Sequence, residues 1–173
     1  MFDTGPVLWM QSWSSPPITL LMNAVSIAAS FPSCLAVAAG YAFGIRMRSG
    51  VALLLMVVLG AVLTDVSKVA FHAPRPYQLD ARVRVLGSFV PGTEDSASAG
   101  RSESTFGFPS GHVEAITALV FAMWWIHKRK AMAVTGAGWI VLTAASRLYL
   151  GRHFIGDLLG PFLEPAYVNT GLA

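Results

Sequence analysis

The chain has 173 residues, of which 54% are hydrophobic and 12% are charged, and its net charge is +3. An average soluble domain carries about 25% charged residues, so this composition excludes that class and indicates an integral membrane protein. Cys34 is the only cysteine, which excludes an intramolecular disulfide and a thiolate metal cluster. The length suits a single domain over residues 1–173, built as one all-α bundle of roughly four to six spans.

The first predicted elements lie in an uncharged stretch over residues 16–45. No basic region precedes it, so we expect no cleaved secretory signal. At about 1.5 Å per residue the stretch is longer than one bilayer crossing. We therefore predict an interfacial helix over about 17–28, a bend near Pro32, and a span that continues to about Ile45.

Three further spans are predicted from apolar runs downstream. They cover Val51 to about Phe71, Ser110 or Gly111 to Ile126, and about Ala131 to Leu150. The first of them ends at the pair Pro74 and Pro76, because the residue before a proline disfavours helix. A last apolar piece from His153 to about Leu163 is too short to cross a bilayer alone.

The basic links between these spans predict an orientation. Arg46 and Arg48 form one link, and residues 128–130 form the other. Both links lie on one side if the spans alternate, and the positive-inside rule makes that side cytoplasmic. The opposite, extracytoplasmic side then receives the N-terminus, the long loop over about 73–109 and the turn at Gly151. Polar residues of three separate stretches meet on this face.

The first polar stretch places Lys68 at the end of a span and Arg75 next to Pro76. Pro76 turns Arg75 away from the helix axis, and a guanidinium with an ammonium group suits an anion with several oxygens. The alternative is a structural ion pair between Lys68 and Asp65, three residues earlier on the helix.

The second polar stretch, Pro109-Ser110-Gly111-His112, opens a helix. A helix N-terminus offers free amides and a positive dipole end, and Gly111 allows a ligand close to the backbone. The alternative is structural, since proline is favoured at a helix start and Ser110 is a good N-cap. A lone His112 at the end of a span is more often interfacial than catalytic.

The third polar stretch contains Ser146, Arg147, His153 and Asp157. His153 and Asp157 are four residues apart, which places them on one helical face. A carboxylate there can keep one imidazole nitrogen protonated and leave the other free to attack. The alternative is a hydrogen-bonded histidine near the interface, but ionisable residues in a membrane protein more often mark a functional site.

These stretches together resemble the signature of the type 2 phosphatidic acid phosphatases. Lys-x6-Arg-Pro, Pro-Ser-Gly-His and Ser-Arg-x5-His-x3-Asp occur with full spacing, and the resemblance covers about residues 60–160. The superfamily also contains vanadium-dependent haloperoxidases and bacterial acid phosphatases. The resemblance implies a six-helix core and a phosphohydrolase that needs neither metal nor other cofactor.

The resemblance also implies a role for each matching residue. His153 would be the nucleophile that forms a phosphohistidine, Asp157 would orient it, and His112 would be the general acid. The residues expected to bind the phosphate oxygens are Lys68, Arg75, Ser110, Gly111 and Arg147.

Two parts of the chain need separate mention. One departs from the family pattern, and the other is predicted to have no regular structure. The helix that begins near His153 meets Pro161 and Pro165, so we expect a short or truncated last helix. The stretch from Gly92 to Thr105 is rich in serine, glycine and acidic residues and predicts a mobile loop, with a substrate gate as one use.

The sequence therefore predicts a lipid phosphate phosphatase of a bacterial inner membrane with an extracytoplasmic site. Its partners would be the membrane and a lipid phosphate or pyrophosphate, not nucleic acid, and neither the lipid nor the oligomeric state is predicted. Two alternatives remain: a vanadate-dependent haloperoxidase, and a non-catalytic protein that binds or transports lipid phosphates.

Overall fold

The computed structural model describes residues 2–87 and 106–159, and the regular structure in these residues is α-helical. Seven helices are complete within them: α1 (Gly5–Ser12), α2 (Pro16–Ala28), α3 (Phe31–Gly44), α4 (Met47–Phe71), α5 (Pro76–Leu79), α6 (Gly111–His127) and α7 (Lys130–Tyr149). Residues 155–159 are also helical. The predicted all-α class is confirmed.

A bend of 53° separates α2 from α3. Each helix has proline in its first turn, where the missing amide costs no hydrogen bond. Ser30 lies between them and caps α3 by accepting a hydrogen bond from the Ser33 amide at 3.4 Å. The bend near Pro32 is thus confirmed, and together the two helices are long and apolar enough for one broken span or a re-entrant pair. The interfacial position of α2 stays a prediction.

The hydropathy pattern predicted the bounds of the long helices to within a few residues. α4 begins at Met47 instead of Val51, and α7 covers almost the predicted range. α7, and α4 with its continuation to Leu79, are long and apolar enough to cross a membrane. α6 has 17 residues, about 25 Å at 1.5 Å per residue, against about 30 Å of hydrocarbon. A full crossing by α6 stays a prediction.

The larger core cluster lies where α3, α4 and α6 pack together. Leu53, Val57 and Cys34 are buried there, with Ala115 and Leu119 of α6. Glycine allows the closest contacts in the bundle. A Cβ at Gly50 would lie 2.2 Å from the Ala42 Cα atom, so α3 and α4 touch backbone to backbone.

A smaller cluster joins five separate parts of the chain. Its buried members are Val7, Val83, Val113, Leu148 and Leu158. Val7 belongs to α1, an eight-residue helix that the sequence analysis did not predict. Three of its members, Val113, Leu148 and Leu158, directly follow the motif residues His112, Arg147 and Asp157 in sequence.

Two predictions fall on parts of the chain outside the described residues. These are the mobile loop over 92–105 and the shortening of the last helix near Pro161 and Pro165. The division into a single domain over residues 1–173 is likewise untested and stays a prediction.

Candidate active site

Residues of the three motifs lie at the ends of helices. Lys68 is in the last turn of α4, Arg75 is the N-cap of α5, Ser110 is the N-cap of α6, Arg147 is in the last turn of α7, His153 follows α7, and Asp157 is in the helical residues 155–159. Arg75, Ser110, Arg147, His153 and Asp157 are all buried. Buried polar groups of this kind need defined partners.

The residues that follow α4 contact the segment that leads into α6. His72 ends α4 with a left-handed φ of 48°, and the Gly107 amide donates to the Ala73 carbonyl at 2.7 Å. A Cβ at Gly107 would lie 3.0 Å from the Pro74 oxygen and 3.1 Å from Asp157 Oδ2. Only glycine fits there without displacement of its neighbours.

The N-terminus of α6 contacts two other motifs. The Ser110 amide donates to the Asp157 carbonyl at 3.2 Å. Lys68 Nζ lies 3.7 Å from the position that a Cβ at Gly111 would occupy, so it reaches the first turn of α6. Ser110 Oγ is buried and makes no hydrogen bond within the described residues. Binding of a phosphate oxygen by Ser110 stays a prediction.

The predicted pair of Lys68 with Asp65 also exists. Lys68 Nζ lies 3.6 Å from Asp65 Oδ1, and the Asp65 side chain is 77% exposed. An ion pair open to solvent contributes little to stability. The structural and ligand-binding interpretations of Lys68 are therefore compatible.

His153 is oriented by a backbone carbonyl that the sequence analysis missed. Its Nδ1 lies 2.8 Å from the Gly107 oxygen, whereas Asp157 Oδ2 is 3.7 Å from Nδ1 and accepts a hydrogen bond from the Phe154 amide at 2.9 Å. A carbonyl can only accept, so Nδ1 donates and Nε2 carries the lone pair. Direct orientation of His153 by Asp157 stays a prediction.

The charge state of His153 follows from its surroundings. Burial lowers the pKa of His153 well below its usual value, and the nearby charges of Arg147, Arg75 and His112 lower that pKa further. The imidazole is therefore neutral at neutral pH. A neutral imidazole with its lone pair on Nε2 is the form that can act as a nucleophile.

Arg75 and Arg147, both buried, are held by groups far away in the sequence. Arg147 Nη1 donates to Ser26 Oγ of α2 at 2.8 Å, across 121 residues. Arg75 Nη1 donates to the Arg152 carbonyl at 3.4 Å. Neither Ser26 nor Gly107 stands out in the sequence, because each acts through a contact that only the fold creates.

The arrangement suits a tetrahedral oxyanion. Guanidinium groups, an ammonium group, a hydroxyl and a helix N-terminus all offer hydrogen bonds to anionic oxygens. No group of three His, Cys, Asp or Glu side chains within residues 2–87 and 106–159 is placed to hold a metal ion. Independence from metal stays a prediction.

Comparisons with known proteins agree on one family. The model described as "PAP2 superfamily" matches residues 49–163. Phosphatidylglycerophosphatase B from Bacillus subtilis (strain 168) is 30% identical over 165 residues, which cover 90% of this chain and 72% of the relative. The crystal structure of a transmembrane PAP2 type phosphatidylglycerolphosphate phosphatase from Bacillus subtilis matches with a TM-score of 0.67 and 24% identity, over 92% of this chain and 77% of that chain.

Proposed function

We propose, from the premise that this chain belongs to the PAP2 superfamily, that it is a membrane phosphatase that removes phosphate from a lipid phosphomonoester or pyrophosphate. One observation carries the proposal: the buried imidazole of His153 has its Nδ1 proton bonded to the Gly107 carbonyl. Its Nε2 therefore carries the lone pair, and the positive charges of Arg147 and Arg75 act on the same ring, as an anionic phosphoryl group requires.

The first chemical step forms a phosphohistidine. His153 Nε2 attacks phosphorus, the bond from phosphorus to the ester oxygen breaks, and the leaving oxygen takes a proton from His112. Side chains of Lys68, Arg75 and Arg147 bind the equatorial oxygens as their charge develops. A cation about 4 Å away contributes roughly 4 kcal/mol at an effective dielectric near 20.

The second step consumes water. His112, now unprotonated, accepts a proton from water, whose oxygen attacks the phosphohistidine and breaks the bond from nitrogen to phosphorus. Inorganic phosphate leaves, His112 is protonated again and His153 is again neutral. No metal takes part in the proposed cycle.

The membrane context supports a lipid substrate. The motif residues lie at helix ends, so a phosphate can enter the site while its acyl or prenyl chain stays in the bilayer. The names of both Bacillus relatives make phosphatidylglycerol phosphate the first candidate. With the positive-inside rule, the proposal places the site on the extracytoplasmic face of a bacterial plasma membrane.

The test is a phosphate-release assay on purified protein in vesicles with a chelator present. The substrates are phosphatidylglycerol phosphate, phosphatidic acid, a prenyl pyrophosphate and lipid A phosphates. We expect release from at least one of them, and we expect His153→Ala to abolish release while lipid binding remains. Lipid binding without hydrolysis by the wild type would instead indicate a binding or transport protein.

A further inference from the structure

The short helix α1 presents two different faces. Val7 and Gln11 are buried, whereas Trp9 and the C-cap residue Trp13 are 65% and 66% exposed. Val7 packs in the smaller cluster with Val113 and other residues beside the catalytic motifs. An isolated eight-residue helix is unstable, so tertiary contacts must hold α1 in place.

The side-chain amide of Gln11 forms hydrogen bonds with two segments that are distant from each other in sequence. Its Nε2 donates to the Arg84 carbonyl at 2.6 Å and to the Tyr149 carbonyl at 3.2 Å. Its Oε1 accepts a hydrogen bond from the Arg84 amide at 3.0 Å. The side chain is 4% exposed, and its donors and its acceptor are all used, as a buried polar group requires.

The turn between α7 and His153 packs closely against the side-chain amide of Gln11. Gly151 has φ of +72°, and a Cβ there would lie 2.4 Å from the Arg84 oxygen and 2.9 Å from Gln11 Nε2. The Leu86 amide donates to the Leu150 carbonyl at 3.2 Å. The turn is thus fixed from one side by segment 83–87 and from the other by α1.

The N-terminal segment also reaches the residue after His153. The rings of Phe2 and Phe154 meet edge to face, with 5.3 Å between their centroids. Phe154 is buried, and its amide is the donor to Asp157 Oδ2. Contacts from the first eleven residues therefore hold the backbone on both sides of His153.

We infer that Gln11 is a positioning residue for the reaction, and that α1 holds in place the turn that carries the His153 nucleophile. The inference rests on the proposed function. Gln11 acts through the Tyr149 carbonyl and the Gly151 turn, and it does not touch the phosphate. Displacement of a reacting group by about 1 Å reduces turnover by as much as roughly 100-fold.

The test compares Gln11→Ala with the control Ser12→Ala, whose hydroxyl is exposed and donates only to the Trp9 carbonyl of the same helix. We expect Gln11→Ala to lower kcat by roughly 10- to 100-fold, while KM stays within about twofold. Ser12→Ala should match the wild type in both constants.

The pH profile distinguishes positioning from general loss of folded protein. The groups facing His153 are Arg75, Arg147, His112 and Asp157, and none of them is changed in Gln11→Ala. A loosened turn admits water to His153, so the acidic limb of kcat/KM should move towards higher pH. General destabilisation would lower the rate without moving that limb.

A second variant disturbs the contact between Gln11 and the Gly151 turn from the side of the turn. Gly151→Ala places a methyl group against Arg84 and Gln11, so we expect the same displacement of the acidic limb. If Gln11→Ala does not fold, the milder Gln11→Asn is measured in its place. An unmoved limb in the folded variants overturns the inference, whereas a wild type that releases no phosphate overturns the proposed function instead.

Discussion

At the scale of single residues, the site is organised around a neutral histidine in a positive environment. His153 is buried, and the charges of Arg147, Arg75 and His112 oppose its protonation. The Gly107 carbonyl is the hydrogen-bond partner that favours the charged form of the imidazole. Burial and the positive charges outweigh it, so the lone pair stays available for attack at neutral pH.

The pH dependence of turnover follows from this balance. Because the pKa of His153 in the folded protein is lowered below the ordinary value of 6.5, the neutral imidazole, which is the proposed nucleophile, is lost only as the pH falls below that value. Loss of the His112 proton should cause a second, basic limb. We expect a bell-shaped profile of kcat/KM whose acidic midpoint lies below pH 6.5. A flat profile would contradict the assignment of both histidines.

At the scale of helices, the packing of α3 on α4 depends on an absent side chain. Gly50 faces the Ala42 backbone, and a Cβ there would lie 2.2 Å from Cα and 2.4 Å from the amide nitrogen. A backbone atom cannot move aside as the end of a flexible side chain can. The separation of these two helices is therefore set by glycine.

We expect Gly50→Ala to lower the free energy of unfolding by about 1–3 kcal/mol, because the new methyl group forces the two helices apart. Thermal unfolding in detergent measures the effect. Gly40→Ala in α3 is the matched control, since a Cβ there meets nothing within 4 Å and alanine has the higher helix propensity. Equal stability of the two variants would contradict this account of the packing.

The elements differ in how far the sequence predicts them. Hydropathy located α4, α6 and α7 because each is a long apolar run, and proline marked the bend before α3. Hydropathy did not predict α1, because its eight residues are too few for a membrane span. The position of α1 depends on Val7 and Gln11, whose partners lie more than 70 residues away.

At the scale of the whole molecule, span counting brought the three motifs to one end of the bundle, and the structure confirms that they meet there. Ser26 and Gly107 could not be found in the same way. Ser26 binds Arg147 across 121 residues, and Gly107 acts through a carbonyl that every residue type possesses. Motifs identify the side chains that bear the chemistry, while the fold supplies their partners.

Binding of an oxyanion should stabilise the whole bundle, because the residues proposed to bind it come from α4, α5, α6 and α7. A ligand specific for the folded state at 100 times its Kd adds about 2.7 kcal/mol. We expect phosphate or vanadate to raise Tm of the purified protein, and chloride at the same ionic strength to leave Tm unchanged. An equal rise of Tm in the Arg147→Ala variant would show that the anion binds elsewhere.

The contact between Gly107 and His153 has a further chemical consequence. Histidine can carry a phosphoryl group on either ring nitrogen, and the two linkage isomers are different compounds. Because the Gly107 carbonyl occupies the Nδ1 side of the ring at 2.8 Å, the proposed mechanism produces only the Nε2-linked isomer. A single backbone oxygen, contributed by a residue without a side chain, would thus make the proposed intermediate regiospecific.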